Sequence, residues 1–212
     1  MKKKILLVYV LLGISTLCFA KGNFELFGGI PTNWDNGIIM GYDAKAKATS
    51  LSLGFGLISP INDRIGFGVY DEIIFPQKIE ASVNGKKTSA DRDDYKSLMG
   101  MSVLLGPVFY LYSVPDGKIK IPLITGLRWM WLAASTDYTS LFGNCFGLKA
   151  GIGIELHPSE KVYIFGRLMG AFDFYSASSV TTSGYDGKNT EKYSGGTSSF
   201  GLTPHIGIGF VF

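Results

Sequence analysis

Phe200-Gly201-Leu202-Thr203-Pro204-His205-Ile206-Gly207-Ile208-Gly209-Phe210-Val211-Phe212 closes the sequence and decides its fold. Phe200, Leu202, Pro204, Ile206, Ile208, Phe210 and Phe212 share one parity, and Gly201, Thr203, His205, Gly207, Gly209 and Val211 share the other. A β-strand sends successive side chains to opposite faces. One face is therefore wholly apolar, with aromatic residues at both ends, and the other is small and mostly polar. Such a strand gains most where its apolar face meets lipid and its polar face meets a lumen. The terminal strand of a soluble sandwich would also alternate, but it would seldom stop on a bare aromatic.

The beginning of the chain agrees with its end. Lys2, Lys3 and Lys4 form a basic segment, Ile5 to Leu12 is apolar, and Ser15 to Ala20 is rich in small residues. This is the pattern of a secretory signal peptide over residues 1–20, cut after Ala20. The expected mature domain is then 21–212. The apolar run is too short for a membrane-spanning helix, and no second run of that length follows. Cys18 raises lipidation, but Leu17 before it suits that processing poorly. The chain has 20 basic and 17 acidic residues, and without the three leader lysines the balance is 17 against 17. The basic surplus belongs to the leader and gives no reason to expect a nucleic-acid partner. Cys145 is the one cysteine of residues 21–212, so no disulfide within that domain is expected.

Gly contributes 28 residues, aromatics 14% and charge only 17%, a composition suited to a crowded barrel with aromatic belts. No segment after the leader shows a helical apolar period. Tight turns are expected at 59–64, 113–118 and 157–161, where Pro, Asn, Asp and Gly cluster. Longer polar connections are expected at 31–47, 77–94, 136–144 and 176–198. Alternation of long and short connections gives four hairpins. The fold class is therefore all-β: an eight-stranded antiparallel up-and-down transmembrane β-barrel, with short periplasmic turns, longer extracellular loops and both termini periplasmic. Closure is required, because an open sheet edge in lipid leaves backbone groups unpaired.

The two-residue period recurs in each strand. Leu51, Leu53, Phe55 and Leu57 oppose Ser52, Gly54 and Gly56; Phe146, Leu148, Ala150, Ile152 and Ile154 oppose Gly147, Lys149, Gly151, Gly153 and Glu155. Val162, Ile164, Leu168, Phe172 and Phe174 oppose Tyr163, Arg167, Asp173 and Tyr175. Charge sides with glycine each time. Asp71 falls on the apolar parity, which predicts a membrane edge or bulge there. Glu25, Arg128, Lys149, Glu155, Arg167, Asp173 and His205 are expected to form a lumen charge network. An eight-stranded barrel is just wide enough for side chains to fill it. These charges read first as packing and ion-pair residues, and second as a narrow polar path or ligand site.

Pro107, Pro122 and Pro204 interrupt strands, and each removes a ladder donor. Bulges near the second turn would explain Pro107 and Pro122. Pro204 sits nearer mid-strand and marks a possible lateral seam. His157 and His205 lack a Ser or acidic partner at a diagnostic spacing. The sequence carries no phosphate loop, Ser elbow or Cys/His metal pattern. No catalytic residue, metal or cofactor is expected, although an enzyme built from residues distant in sequence would leave no such trace.

The terminal pattern resembles the sorting signature of bacterial outer-membrane barrels: polar His205, Gly207 two residues on, the aromatic Phe210 three later, and terminal Phe212. The resemblance implies recognition by the barrel assembly machinery. The whole mature chain looks like the small barrels of the OmpX and OmpA transmembrane-domain type and the OmpW type. Apolar Phe27 and Leu104 on the lumen parity, the length and the strand prolines lean toward the OmpW type. That resemblance implies passage of small hydrophobic molecules through a lateral opening. Two functions stay open: a small channel or transporter for hydrophobic solutes, and a plugged structural or adhesin-like barrel whose loops mediate surface contacts. A soluble lipocalin-like barrel would reverse the two faces, and alternation alone does not choose between them.

Overall fold

The computed structural model describes residues 22–39, 42–114, 117–184, 187–195 and 198–212. Residues 1–21, with the expected signal peptide and Cys18, lie outside them, as do Pro115 and Asp116 of the second turn. The strands in chain order are β1 (Asn23–Gly29), β2 (Thr32–Ile39), β3 (Tyr42–Pro60), β4 (Ile65–Val83), β5 (Lys86–Asp91), β6 (Ser97–Ser113), β7 (Ile119–Ser135), β8 (Thr139–Leu156), β9 (Val162–Gly184), β10 (Gly187–Gly195) and β11 (Ser198–Val211). They make a ring of eight staves, because β1 and β2 run in line, β5 leads into β6, and β10 leads into β11. All pairings are antiparallel. β11 returns to pair with β9 on one side and with β1 and β2 on the other, so the sheet closes on itself.

Paired residues can be followed once around this ring. Tyr163 pairs with Gly209, then the path runs through Glu25, Gly56, Tyr70, Leu104, Arg128 and Gly147 to Asp173. The walk returns to β9 ten residues further along, at Asp173 instead of Tyr163. That stagger, with strands about 4.8 Å apart and about 3.3 Å per residue, requires a strand tilt of about 40°. Every residue on the path faces the interior. Bulky and charged side chains share it with glycines, which is how so narrow a ring holds long side chains.

The three tight turns are closed by their own side chains and backbone. Asn62 Oδ1 accepts from the backbone N–H of Arg64 (2.8 Å) and Ile65 (2.9 Å). Val114 N–H donates to Ile119 O (3.0 Å), with Gly117 at φ 70. Ser159 Oγ accepts from Val162 N–H at 3.2 Å.

The expected long loops are different in kind. Much of 31–47, 77–94, 136–144 and 176–198 is strand, so the barrel wall continues past the lipid-facing belt as β-hairpins. The β4–β5 hairpin reverses at Asn84 (φ 48) and Gly85 (φ 78), the left-handed pair that a two-residue turn demands. Polar composition hid this, because an extended hairpin in water needs no apolar face.

Three details of register also depart from expectation. Asp71 pairs with Phe55 inside an unbroken ladder, and the bulge on β4 lies at Gln77, between Pro76–Ser50 and Lys78–Thr49. Tyr175 points outward, because Phe174 is an extra residue between the Phe146–Tyr175 and Gly147–Asp173 pairs and reverses the parity beyond it. Pro107 has no bulge, since Leu105–Leu127 and Val108–Ile124 keep one register, whereas Pro122 does face the bulge at Leu111.

Outward positions carry a continuous apolar belt that includes Leu53, Leu105, Leu127, Leu148, Ile152, Leu168, Phe172 and Ile206, all exposed. A soluble protein does not expose so much contiguous apolar surface. Inside, Phe27, Ile58, Tyr70, Leu104, Val108, Ile124, Tyr163, Phe165 and Met169 form one apolar cluster toward the turn end. The lipocalin-like alternative fails on this arrangement, because charge is inside and the apolar faces are outside.

Candidate functional site

The lumen charges fall into three groups stacked along the barrel. Nearest the turn end, Arg167 on β9 forks onto Glu25 of β1, with Nη1 to Oε2 and Nη2 to Oε1 both at 2.5 Å. Its Nη2 also reaches Glu155 Oε1 of β8 at 3.0 Å. Tyr163 O–H donates to Glu25 Oε1 at 2.6 Å. The guanidinium lies 3.9 Å from the centroid of Phe165, so its flat face is covered as well as its edge. Glu25 and Glu155 are fully buried. His157 caps the group from the third turn, 3.4 Å from Glu155 Oε2 and stacked on Tyr163.

The middle group centres on Glu72 of β4. Lys149 Nζ of β8 is 2.9 Å from its Oε2, and His205 Nε2 of β11 is 2.9 Å from its Oε1. These three side chains come from well-separated staves and meet inside the lumen. The His205 ring also lies against Phe27, 4.7 Å between centroids.

In the upper group, Arg128 Nη1 of β7 donates to Asp173 Oδ2 of β9 at 2.7 Å. The two residues flank Gly147 in one row. A Cβ on Gly147 would come 2.2 Å from Phe172 O and 2.6 Å from Asp173 Oδ1, so only glycine lets them meet across it. Buried pairs of this kind cost much desolvation and persist when geometry and further hydrogen bonds are good. The whole assembly closes the barrel axis. A cavity between Phe27, Glu72, Lys149 and His205 is about 20 Å³, room for one water.

Above the plug the lining changes. The inward row Leu98–Ala134–Leu141–Val180 is apolar, and the row below it is Gly100–Leu132–Gly143–Ser178. The upper interior is therefore apolar on its β6–β9 side, while inward Asn33, Asp35, Ser50 and Ser199 keep the facing side polar.

The wall is weakened beside the first stave. Ile30 and Pro204 face each other in a register that runs unbroken from Gly29–His205 to Thr32–Leu202. Ile30 N–H donates to Pro204 O at 3.3 Å, but proline has no N–H to return. On the other flank of the same stave, Ser50 N–H donates to Pro31 O at 2.9 Å, and again no reciprocal donor exists. The first stave thus lacks a ladder bond on both sides at one level. Ile30, Pro204 and Ile206 face outward there. Ser50 and Ser52 face inward, buried, with hydroxyls that have no partner among the described residues.

No protein-family model matches the chain, and no curated protein matches it. Solved structures do. A major outer membrane protein from Thermus thermophilus is similar over 90% of this chain and 99% of that one, at 12% identity and TM-score 0.55. The outer membrane protease OmpT from Escherichia coli is similar over 91% of this chain and 97% of that one, at 6% identity and TM-score 0.50.

The fold is that of the small bacterial outer-membrane β-barrels. At such identities the likeness extends to the fold alone, and the site must speak for itself. The barrel encloses the expected lumen residues Glu25, Arg128, Lys149, Glu155, Arg167, Asp173 and His205, each buried and each with a partner. Glu72 is the hub that sequence reading missed, although it lies on the glycine parity two residues beyond Tyr70. Pro31 falls at the start of an expected loop, and its place in the ladder emerges only once β1 and β2 prove to be one stave. Of the remaining sorting-pattern residues, Gly207 pairs with Phe27 and Phe165 across the ladder, Phe210 stacks on Phe24, and Phe212 exchanges backbone hydrogen bonds with Gly22.

Proposed function

We propose that this barrel sits in the outer membrane with its tight turns periplasmic and its long hairpins extracellular, and passes small hydrophobic solutes sideways into the lipid. The observation that carries this reading is the coincidence of a closed axis with a weakened wall. Charge pairs block the way straight through. The apolar β6–β9 side of the interior above them would hold the hydrophobic part of a solute that water rejects. Beside the Glu72–His205 layer, Pro31 and Pro204 remove donors from both flanks of one stave. Opening a seam in lipid normally exposes paired backbone groups at several kcal/mol each. Here two of those bonds are already missing, which lowers the cost of parting the strands. The unpartnered Ser50 and Ser52 hydroxyls lie on the inner side of the break and would meet the polar end of a passing molecule.

Uptake of a fluorescent apolar probe into lipid vesicles bearing the purified protein tests the reading. Wild type should speed uptake over empty vesicles, and Pro204→Ala with Pro31→Ala should slow it. Equal rates in protein-containing and empty vesicles would end the transport reading. Uptake unaffected by the double change would end the seam and leave transport standing.

A second reading also has an observation behind it. The plug is so complete that the barrel would serve equally as a rigid stand for its hairpins, β4–β5 and β9–β10, in surface contacts. Adhesion of cells displaying the barrel with and without residues 80–89 measures that role. In both readings the protein is non-enzymatic, and the His205–Phe212 pattern addresses it to the assembly machinery.

A further inference from the structure

We propose that the outward face of β2–β5, just above the lipid-facing belt, is a binding site for the phosphate of lipid headgroups. The ladder fixes which side chains share this face. Thr49 pairs with Lys78, Lys47 with Glu80, Lys45 with Ser82, and Ser82 with Lys87. These residues continue the outward parity of Leu51 and Leu53, which are half exposed or more. Lys45, Lys47, Lys78 and Lys87 therefore project from the same side of the wall that meets lipid lower down. Among the described side chains Glu80 and Asp91 are the carboxylates beside them, and Glu80 is engaged by Lys78 at 2.8 Å. Lys45, Lys47 and Lys87 form no ion pair among the described residues, so the face keeps a surplus of positive charge.

Position argues for a headgroup. Trp34 pairs directly with Lys47 and stacks on Phe200, 5.9 Å between centroids, as aromatic residues do at a membrane boundary. Lys47 is four residues beyond Leu51. At about 3.3 Å per residue and a tilt of about 40°, it stands about 10 Å above Leu51 and level with Trp34. The polar layer of one leaflet is about 5 to 8 Å deep, so flexible lysines at this height reach its phosphates. A groove of about 550 Å³ runs here, walled by Trp34, Lys45, Lys47, Glu80 and Lys87. The positive charge is concentrated in this sector, for among the described side chains on the far side the register places a single exposed lysine, Lys192, opposite Ser179. At comparable height on β7, β8 and β9 the outward residues beyond Trp131 and Phe142 are Ala133, Ser135, Ser140 and Ser179, none charged. A general solubility device would circle the barrel; a site occupies one sector.

The test uses the full barrel with Trp34 as its only tryptophan (Trp129→Phe, Trp131→Phe), in phosphatidylcholine vesicles. Quenching by brominated phosphatidylglycerol is compared with quenching by brominated phosphatidylcholine at equal mole fraction. Each lysine close to an anionic surface is worth about 1 kcal/mol, which is about fivefold in local enrichment. The wild-type face should therefore prefer phosphatidylglycerol by about fivefold or more at low salt. Lys45→Gln/Lys47→Gln/Lys87→Gln should bring the preference close to unity while heat-modifiable migration shows the barrel folded. Lys161→Gln, at the opposite end, should leave it intact. Equal quenching by both lipids in wild type, or an undiminished preference in the triple variant, would overturn the proposal. Loss of the preference on adding millimolar inorganic phosphate would overturn the lipid assignment in favour of a soluble anion.

Discussion

Glu72→Leu removes the acceptor on which the middle of the plug depends. Both Glu72 oxygens are in use, one by Lys149 and one by His205, each at 2.9 Å, and Glu72 and Lys149 are 3% and 6% exposed. The substitution leaves the Lys149 ammonium buried without its partner. Breaking a buried pair in this way costs about 3 to 5 kcal/mol, and the lost His205 bond falls within that range. With a urea dependence of about 2 kcal/mol per molar, the unfolding midpoint should fall by about 2 M. Glu72→Leu with Lys149→Met removes both charges and fills the space with apolar side chains. A pair replaced by well-packed apolar residues is about neutral, so the double variant should recover to within about 1.5 kcal/mol of wild type. Urea titrations in lipid vesicles, read by tryptophan fluorescence and by heat-modifiable migration, supply the double-mutant cycle. A double variant as unstable as Glu72→Leu alone would refute the claim that the cost comes from an uncompensated lysine.

Other outcomes follow from neighbouring features. Gly147→Ala should lower stability by about 1 to 3 kcal/mol, because the added carbon meets backbone atoms that cannot step aside; the urea midpoint reads it. Gly85→Ala should cost about 1 kcal/mol or a little more, confined to the β4–β5 tip, seen as faster proteolysis there with the lipid-embedded core unchanged. Arg167→Ala with Glu25→Ala should leave single-channel conductance in planar bilayers near-silent, because the Glu72 and Arg128 groups still cross the lumen above; a clear rise would mean that the lower group alone closes the axis. Pro204→Ala restores the reciprocal donor opposite Ile30 and should raise stability by about 0.5 to 1.5 kcal/mol, as a higher urea midpoint.

Most of the barrel was legible in the sequence because lipid imposes the two-residue period on every stave, and glycine marks where long inward side chains need room. Parity alone placed Arg167, Asp173 and His205 in the lumen. What stayed hidden depends on partners distant in sequence. Nothing local to Phe174 marks it as an extra residue; the count is set by Phe146 and Gly147 across the ladder. Glu72 shares its parity with Tyr70, but its importance rests on Lys149 and His205 arriving from other staves. Pro31 reads as loop chemistry until the ladder shows it beside Ser50. The hairpin extensions were hidden for a different reason: above the belt both faces are wet, so the alternation that marks a strand disappears, and only Asn84-Gly85 signals the turn.

Which face of the barrel meets lipid is measured most directly on β8. With Cys145→Ser as background, spin labels placed singly at residues 146 to 154 in lipid vesicles can be read for collision with oxygen, which concentrates in the acyl chains. Leu148, Ile152 and Ile154 are about half exposed on the outer surface, whereas Lys149 and Gly147 are buried. Oxygen accessibility should peak at 146, 148, 150, 152 and 154 and fall at every odd position between. A profile with the opposite parity, or with no two-residue period, would contradict the account.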